Sequence, residues 1–107
     1  MEGTTEMDIF NSKEDLRVVV RTPSAAIVDT HVTELEAEGW NGNFVVRSGA
    51  EPTMAGLASG EMVLRKRDGS EIRVRIDWGS LVAVGHQVRV VVENASVRYL
   101  EPLPIAV

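Results

Sequence analysis

Cysteine is absent from the chain. That excludes disulfide staples, thiolate catalysis, iron–sulfur ligation and cysteine-type zinc sites, and a small domain without staples fits an intracellular setting. Histidine is scarce: His31 and His86 lie on separate segments, with no second ligand at metal spacing. They read as surface residues, and neither a metal nor a cofactor is expected. Basic residues number 11 against 16 acidic ones, a net charge of -5. Nucleic acid needs a positive field, so no nucleic-acid partner is expected. No apolar run approaches the roughly 20 residues of a membrane helix. The opening Met1-Glu2-Gly3-Thr4-Thr5-Glu6 is polar and acidic, unlike a signal peptide, so no direct membrane insertion is expected. Aromatic residues make up only 5%, so any core is aliphatic.

What is present fits one soluble globular domain. The 107 residues leave no room for two. Hydrophobic residues reach 44%, mostly Val, Leu, Ala and Ile, which favours strands. Residues 1–15 carry Glu2, Glu6, Asp8, Glu14 and Asp15 with few apolar partners and read as a flexible lead. Leu16 to Arg21 reads as a strand stopped by Pro23. Residues 27–38 read as one extended stretch of period two: Thr33, Leu35 and Ala37 on one face, Val32, Glu34, Glu36 and Glu38 on the other. Short strands follow at 44–46, 54–57, 61–67, 70–77, 81–84 and 87–92, separated by Gly-rich turns. The expected fold is all-β: an antiparallel β-sandwich of about 8–10 short strands. The domain is expected at residues 16–95, with a short tail at 96–107 whose prolines exclude a long helix.

One hairpin can be registered from sequence. Ile72, Val74 and Ile76 alternate with Glu71, Arg73, Arg75 and Asp77. A two-residue Asp68-Gly69 loop would set Leu64 opposite Arg73 and mix the faces. A three-residue loop, Arg67-Asp68-Gly69, sets Leu64 opposite Ile72 and Met62 opposite Val74. It is a type I turn closed by a left-handed glycine. The outer face then pairs Arg65 with Glu71 and Glu61 with Arg75, so core and charge agree.

No catalytic constellation emerges. Ser80 follows Gly79 but lacks the nucleophile-elbow pattern and a signalled base. The glycines are irregularly spaced and no Gly-Lys-Ser/Thr follows, so no phosphate loop forms. Glu34, Glu36 and Glu38 lie on one face of one strand and read as a solvated, charge-blunted edge, not as a carboxylate pair across a cleft. Arg65, Arg67, Arg73 and Arg75 concentrate positive charge on one hairpin, either as a face for an acidic partner or as an outer sheet face paired with Glu61 and Glu71. Trp40, in a Gly/Asn turn, reads as a contact residue or as a tryptophan folded onto the sandwich end. Trp78 reads as core or rim. The residues alone describe a small all-β interaction module.

The order of turns and strands resembles the N-terminal β-sandwich domain of the epsilon subunit of F-type ATP synthases, over residues 16 to 95. The carriers are Arg21-Thr22-Pro23, the strand His31 to Gly39, Gly42-Asn43-Phe44-Val45-Val46, Gly49-Ala50-Glu51-Pro52, Leu57-Ala58-Ser59-Gly60, the basic hairpin, Trp78-Gly79-Ser80-Leu81-Val82-Ala83-Val84 and the strand from Gln87 to Val92. Ala50 stands where the family usually has histidine, and Val45 and Ser80 stand where it has glycine. The Gly85-His86 turn is one residue short. The resemblance implies a non-catalytic rotor subunit that links the gamma subunit to the c-ring at the cytoplasmic face of the membrane. It implies that Gly39, Trp40, Asn41, Gly42 and Asn43 face the ring and that Gly49, Ala50, Glu51 and Pro52 face gamma. The family's C-terminal helical pair has no counterpart in residues 94–107, so coupling without inhibition by helix extension is expected.

Two other readings compete. Arg17-Val18-Val19-Val20-Arg21 matches the Arg-x-x-x-Arg of PilZ domains, which bind cyclic di-GMP, but the Asp/Asn-x-Ser-x-x-Gly partner is missing: Asp68-Gly69-Ser70 leads to Arg73. A hydrolase built on Ser80 would need activity lost in Ser80→Ala.

Overall fold

The structure, a computed structural model, describes residues 15–49 and 51–100. The lead before residue 15, Ala50 and the tail beyond residue 100 lie outside the described residues. Eight strands follow in order: β1 (Leu16–Arg21), β2 (Ala26–Val32), β3 (Glu34–Gly39), β4 (Gly42–Arg47), β5 (Thr53–Leu57), β6 (Gly60–Arg65), β7 (Glu71–Val84) and β8 (Gln87–Leu100). No helix occurs among the described residues, and the chain is an all-β sandwich as expected.

The strands are not all short. β7 and β8 have 14 residues each and form one long hairpin, paired from Glu71 with Leu100 to Val84 with Gln87. The anticipated strands at 70–77 and 81–84 are therefore one strand. β8 likewise runs past the boundary placed at 95. The N-terminal half of β7 pairs with β6, and β6 with β3, which pairs with β4. The C-terminal half of β7 pairs with β5, and the start of β8 with β1, which pairs with β2. Two layers result, both threaded by the long hairpin: layer one holds β2, β1, the start of β8, the C-terminal half of β7 and β5, and layer two holds the end of β8, the N-terminal half of β7, β6, β3 and β4. Every pairing is antiparallel except β1 with β8, which is parallel.

The passage between layers is visible in the burial. Ile72, Val74 and Ile76 are buried on β7, then Leu81 and Ala83. The alternation restarts one residue out of phase. β8 does the same: Val88, Val90 and Val92 are buried, then Ala95 and Val97 pack on the core. The break lies at Trp78, whose φ of 24° is in the left-handed region. Trp78 is 58% exposed and lies in the middle of β7, so it belongs to the rim and not to the core. It marks the corner. A Cβ on the neighbouring Gly79 would lie 2.3 Å from the Val91 carbonyl oxygen. Only glycine lets β7 and β8 approach this closely.

One aliphatic core unites both layers: Leu16, Leu35, Leu57, Met62, Leu64 and Leu81 are fully buried with the inward valines. The stretch 27–38 is two strands, not one. At Thr33 the chain bends, because its N–H and its Oγ1 hydroxyl both donate to the Arg65 carbonyl, at 2.8 and 2.9 Å. The bend resets the pleat, so Val32 turns into the core with Leu35 and Ala37 instead of sharing the glutamate face. The registered hairpin appears as read: Leu64 faces Ile72, Met62 faces Val74, Arg65 faces Glu71 and Glu61 faces Arg75. Gly69 N–H donates to the Lys66 carbonyl at 3.1 Å, and Gly69 has φ 92°, the left-handed closure of a type I turn.

Two outcomes test this architecture. Gly79→Ala drives a Cβ against backbone and is expected to cost about 2–3 kcal/mol, or roughly 10 °C in Tm. The exposed neighbour substitution Ser80→Ala should change stability by less than about 0.5 kcal/mol. Equal melting points for the two variants would refute the tight corner. At the β6–β7 turn, Ser70 Oγ and N–H donate to Asp68 Oδ1 at 2.6 and 2.9 Å, holding the Asp68 carboxyl below its ordinary range. A lowered folded-state value stabilises above the unfolded value of about 3.9 and is lost as pH falls through the folded one. The Tm advantage of the native chain over Asp68→Asn should be steady above about pH 5 and close on acidification. An advantage that persists in strong acid would rule out ionisation as its source.

Candidate interaction surfaces

Layer two uses its outer face to pair charge with charge. Arg65 bridges Glu34 at 2.7 Å, Glu36 at 2.9 Å and Glu71 at 3.5 Å. Arg73 bridges Glu61 at 2.9 Å and Glu71 at 3.0 Å, and Arg98 reaches the other Glu61 oxygen at 3.5 Å. Arg47 closes on Glu34 at 3.0 Å. The contact with Glu36, and then that with Glu34, raises the Arg65 pKa above its ordinary value; Glu61 and then Glu71 do so for Arg73. Arg67 leaves this face: it sits in the β6–β7 turn and pairs with Asp15. Arg75 stays on the outer face, exposed and opposite Glu61 in register, although the Glu61 carboxylate bonds Arg73 and Arg98 instead. Thus the four arginines singled out from sequence share a face except Arg67. Glu34 and Glu36 are not on a solvated edge, because β3 is hydrogen-bonded on both sides, to β4 and to β6.

The two loops singled out for partners flank β5 at opposite ends. The first is a hairpin tip: Gly39 pairs with Gly42, leaving Trp40 and Asn41 as the turn. Asn43 is already in β4. Trp40 N–H donates to the Gly56 carbonyl and the indole Nε1–H to the Leu57 carbonyl, both at 3.2 Å. The ring lies across Gly56, where an added Cβ would meet it at 3.2 Å. Trp40 is folded onto the sandwich end at Gly56 yet remains 70% exposed. The second loop precedes β5. Gly49 N–H donates to the Gly85 carbonyl at 3.3 Å, and Ser48 Oγ contacts His86 Nδ1, tying this loop to the β7–β8 turn. Glu51 and Pro52 are exposed; Ala50 lies outside the described residues.

A third surface was not anticipated. On the outer face of layer one, Met54 is opposite Val82, Val82 opposite Arg89, and Arg89 opposite Val19. The next row holds Ser80, Val91 and Arg21, and Val84 lies opposite Gln87. Met54, Val82, Val84 and Val91 are exposed, and Trp40 extends their row over Gly56. The signal was in the sequence: Leu81 to Val84 and Val90 to Val92 carry apolar residues at consecutive positions, as strands covered on both faces do.

The chemistry of other reactive groups is limited. His31, His86 and Ser80 are exposed and lie on separate elements. No cluster of metal-ligating side chains occurs among the described residues. The cyclic di-GMP reading has no support: Arg17 donates to both Asp29 oxygens, at 3.0 and 2.8 Å, and no partner loop completes the motif. That pairing holds the Asp29 carboxyl below its ordinary range.

Comparisons with known proteins agree on one family. The model of the ATP synthase delta/epsilon chain β-sandwich domain matches residues 15–97. The ATP synthase epsilon chain of Geotalea uraniireducens is 34% identical over 82 residues, covering 77% of this chain and 59% of that protein. The epsilon chain of Geobacter sulfurreducens is 33% identical over the same shares. This chain thus spans about three fifths of the length of these curated relatives. Among solved structures, a chain of the Euglena gracilis mitochondrial ATP synthase (OSCP, F1 and c-ring) superposes with a TM-score of 0.76 at 18% identity, covering 81% of this chain and 56% of that one. A chain of the Tetrahymena thermophila central stalk and c-ring gives 0.62 at 14%, covering 80% and 69%; at such identities the likeness is one of fold. The matched span contains all but the last three residues of β8, and with it both layers and the corner. The chain belongs to the ATP synthase delta/epsilon family, with its β-sandwich domain at residues 15–97.

Proposed function

We propose that this chain is a non-catalytic rotor subunit in the central stalk of an F-type ATP synthase, linking the gamma subunit to the c-ring during proton- or sodium-driven ATP synthesis. The observation that carries the reading is the family match across the whole sandwich. The geometry supports it. A linker between two partners needs two contact sites held at a fixed distance. The loop of Gly39, Trp40, Asn41, Gly42 and Asn43 and the loop of Gly49, Ala50, Glu51 and Pro52 are joined by β5, whose five residues span about 17 Å. Each loop is also tied to a neighbouring strand or turn, so torque transmitted through one reaches the other through hydrogen-bonded sheet. The first loop is assigned to the ring and the second to gamma. Such a subunit needs no cofactor and no membrane span, and it would sit on the cytoplasmic face of the membrane through the complex.

Mild-detergent capture from source-cell membranes, read by mass spectrometry, tests this. Gamma-type and c-type subunits should be recovered together. Trp40→Ala should weaken retention of the ring roughly tenfold, as removal of an interface anchor does, while gamma is kept. Recovery of neither subunit would sink the rotor reading. Loss of gamma with the ring retained would reverse the assignment of the loops.

A further inference from the structure

The chain enters the described structure at Asp15, which pairs with Arg67, and two grooves of opposite charge open within reach of that point. The first lies on the outer face of layer one. Arg17, Arg21 and Arg89 surround Val19 and Val91 in a shallow space of about 320 Å³. Arg89 stands opposite Val19, on the row between Arg17 and Arg21. Arg17 is neutralised by Asp29 at 2.8 Å. Arg21 and Arg89 have no carboxylate partner among the described residues. Two like charges on neighbouring rows repel each other, and Val91 beside them is 53% exposed. The second groove, of about 350 Å³, lies between β2 and the end of β8, where Asp29, Asp68 and Glu71 outnumber Lys66. An acidic segment is drawn to the first groove and turned away from the second.

We propose that the first groove is the docking site of this chain's own N-terminal segment, with Ile9 and Phe10 set on Val19 and Val91 and with Glu6 and Asp8 against Arg21 and Arg89. Residues 1–14 lie outside the described residues; their sequence and their point of entry select them. They hold Glu2, Glu6, Asp8 and Glu14 against Lys13 alone, the complement of a cationic groove. Ile9-Phe10 is an apolar pair set among those charges, the complement of a valine floor. The reach is sufficient. Glu6 lies nine positions before Asp15, a span of up to about 30 Å. The groove begins at Arg17, two positions after Asp15, and Arg21 is about 13 Å further along β1. Tethering adds to the affinity. A segment joined to its site by a few residues acts at a roughly millimolar effective concentration, so individually weak contacts hold it. The docked segment shields the cationic half of this face from other anions and leaves the rows of Met54, Val82 and Val84 open. The inference uses neither loop of the rotor reading and does not depend on it.

The chain has no cysteine, so Thr5→Cys provides a single site for a nitroxide label on the full chain, read by NMR. At low salt the amide signals of Val19, Arg89 and Val91 should lose intensity relative to the same sample with the label reduced, while those of Glu36 and Arg73 on layer two keep theirs. Raising the salt to about 1 M, where the screening length falls to about 3 Å, should restore the signals. Arg21→Glu with Arg89→Glu should restore them too. Adding Glu6→Lys and Asp8→Lys to that pair should bring the loss of intensity back, which a purely structural effect of the first two substitutions would not do. Arg21 and Arg89 are exposed, so level melting temperatures report that the variants keep the fold. No selective loss in the native chain, loss centred on Ile27 and Leu100 of the second groove, or loss indifferent to charge reversal would each overturn the proposal. So would loss passed from a nitroxide-bearing copy to a separate isotope-labelled copy, since a second copy would then own the groove. Capture of gamma and c subunits stands or falls separately, because it reads the two loops.

Discussion

The corner at Trp78 and Gly79 is the constraint on which both layers depend. β7 and β8 cross from one layer to the other there, and they can do so only because Gly79 has no side chain facing the Val91 carbonyl. Were β7 to stop at Asp77, the molecule would be two smaller sheets, each with an extra open edge, and open edges invite pairing with other chains. The long hairpin removes that hazard and makes the two layers share one core. Trp78 carries the strain of the left-handed backbone, which costs roughly 1–2 kcal/mol for a residue with a Cβ. It is held there by ladder pairs on either side, Asp77 with Asn94 and Gly79 with Val92. A residue over-determined by its neighbours can keep a conformation it would not choose alone.

The same corner explains what the sequence could and could not tell. The β6–β7 register was legible because two independent signals, apolar alternation and charge pairing, selected one loop length, and the sheet realises that loop. The continuity of β7 was not, since the alternation that announces a strand breaks at its own midpoint. The split at Thr33 was hidden for a different reason. Its cause is a pair of hydrogen bonds to the Arg65 carbonyl, 32 residues away, and no local pattern announces such a contact. The parallel pairing of β1 with β8 is equally non-local. Among the sites, the Trp40 turn was legible from its glycines and asparagines. The apolar face of layer one was passed over because its valines were counted toward the core, although only every second one can point inward.

Arginine does two different things on this sandwich. On layer two, Arg65 and Arg73 each touch more than one glutamate, and the glutamates are shared in turn. Exposed pairs of this kind contribute little singly, and they neutralise the face. Their gain comes from the network, where each carboxylate already positioned for one guanidinium is free to serve the next. On layer one, Arg21 and Arg89 lie among valines, and no carboxylate among the described residues pairs with them. The sequence gives no local sign of this difference: Arg73 and Arg89 both sit at outward positions of apolar strands. The difference comes from the strands beside them. β6 and β3 bring Glu61, Glu34 and Glu36 next to the layer-two arginines, whereas β5 and β1 bring Met54 and Val19 to the face of layer one.

This asymmetry divides the labour of the fold. Layer two pairs most of the charge of its outer face internally. Layer one keeps its apolar rows, its free cations and both proposed partner loops, all arranged around β5 and the end of β7. A binding surface gains from rigidity because less conformational freedom is lost on association, and β5 is braced by β7 along its full length. The residues that give the domain its stability and those available for recognition are therefore largely separate. Divergence on the face of layer one can proceed without disturbing the core, provided Gly79 and the corner are kept. That separation is compatible with a sandwich only about one third identical to its relatives keeping the family's β-sandwich domain.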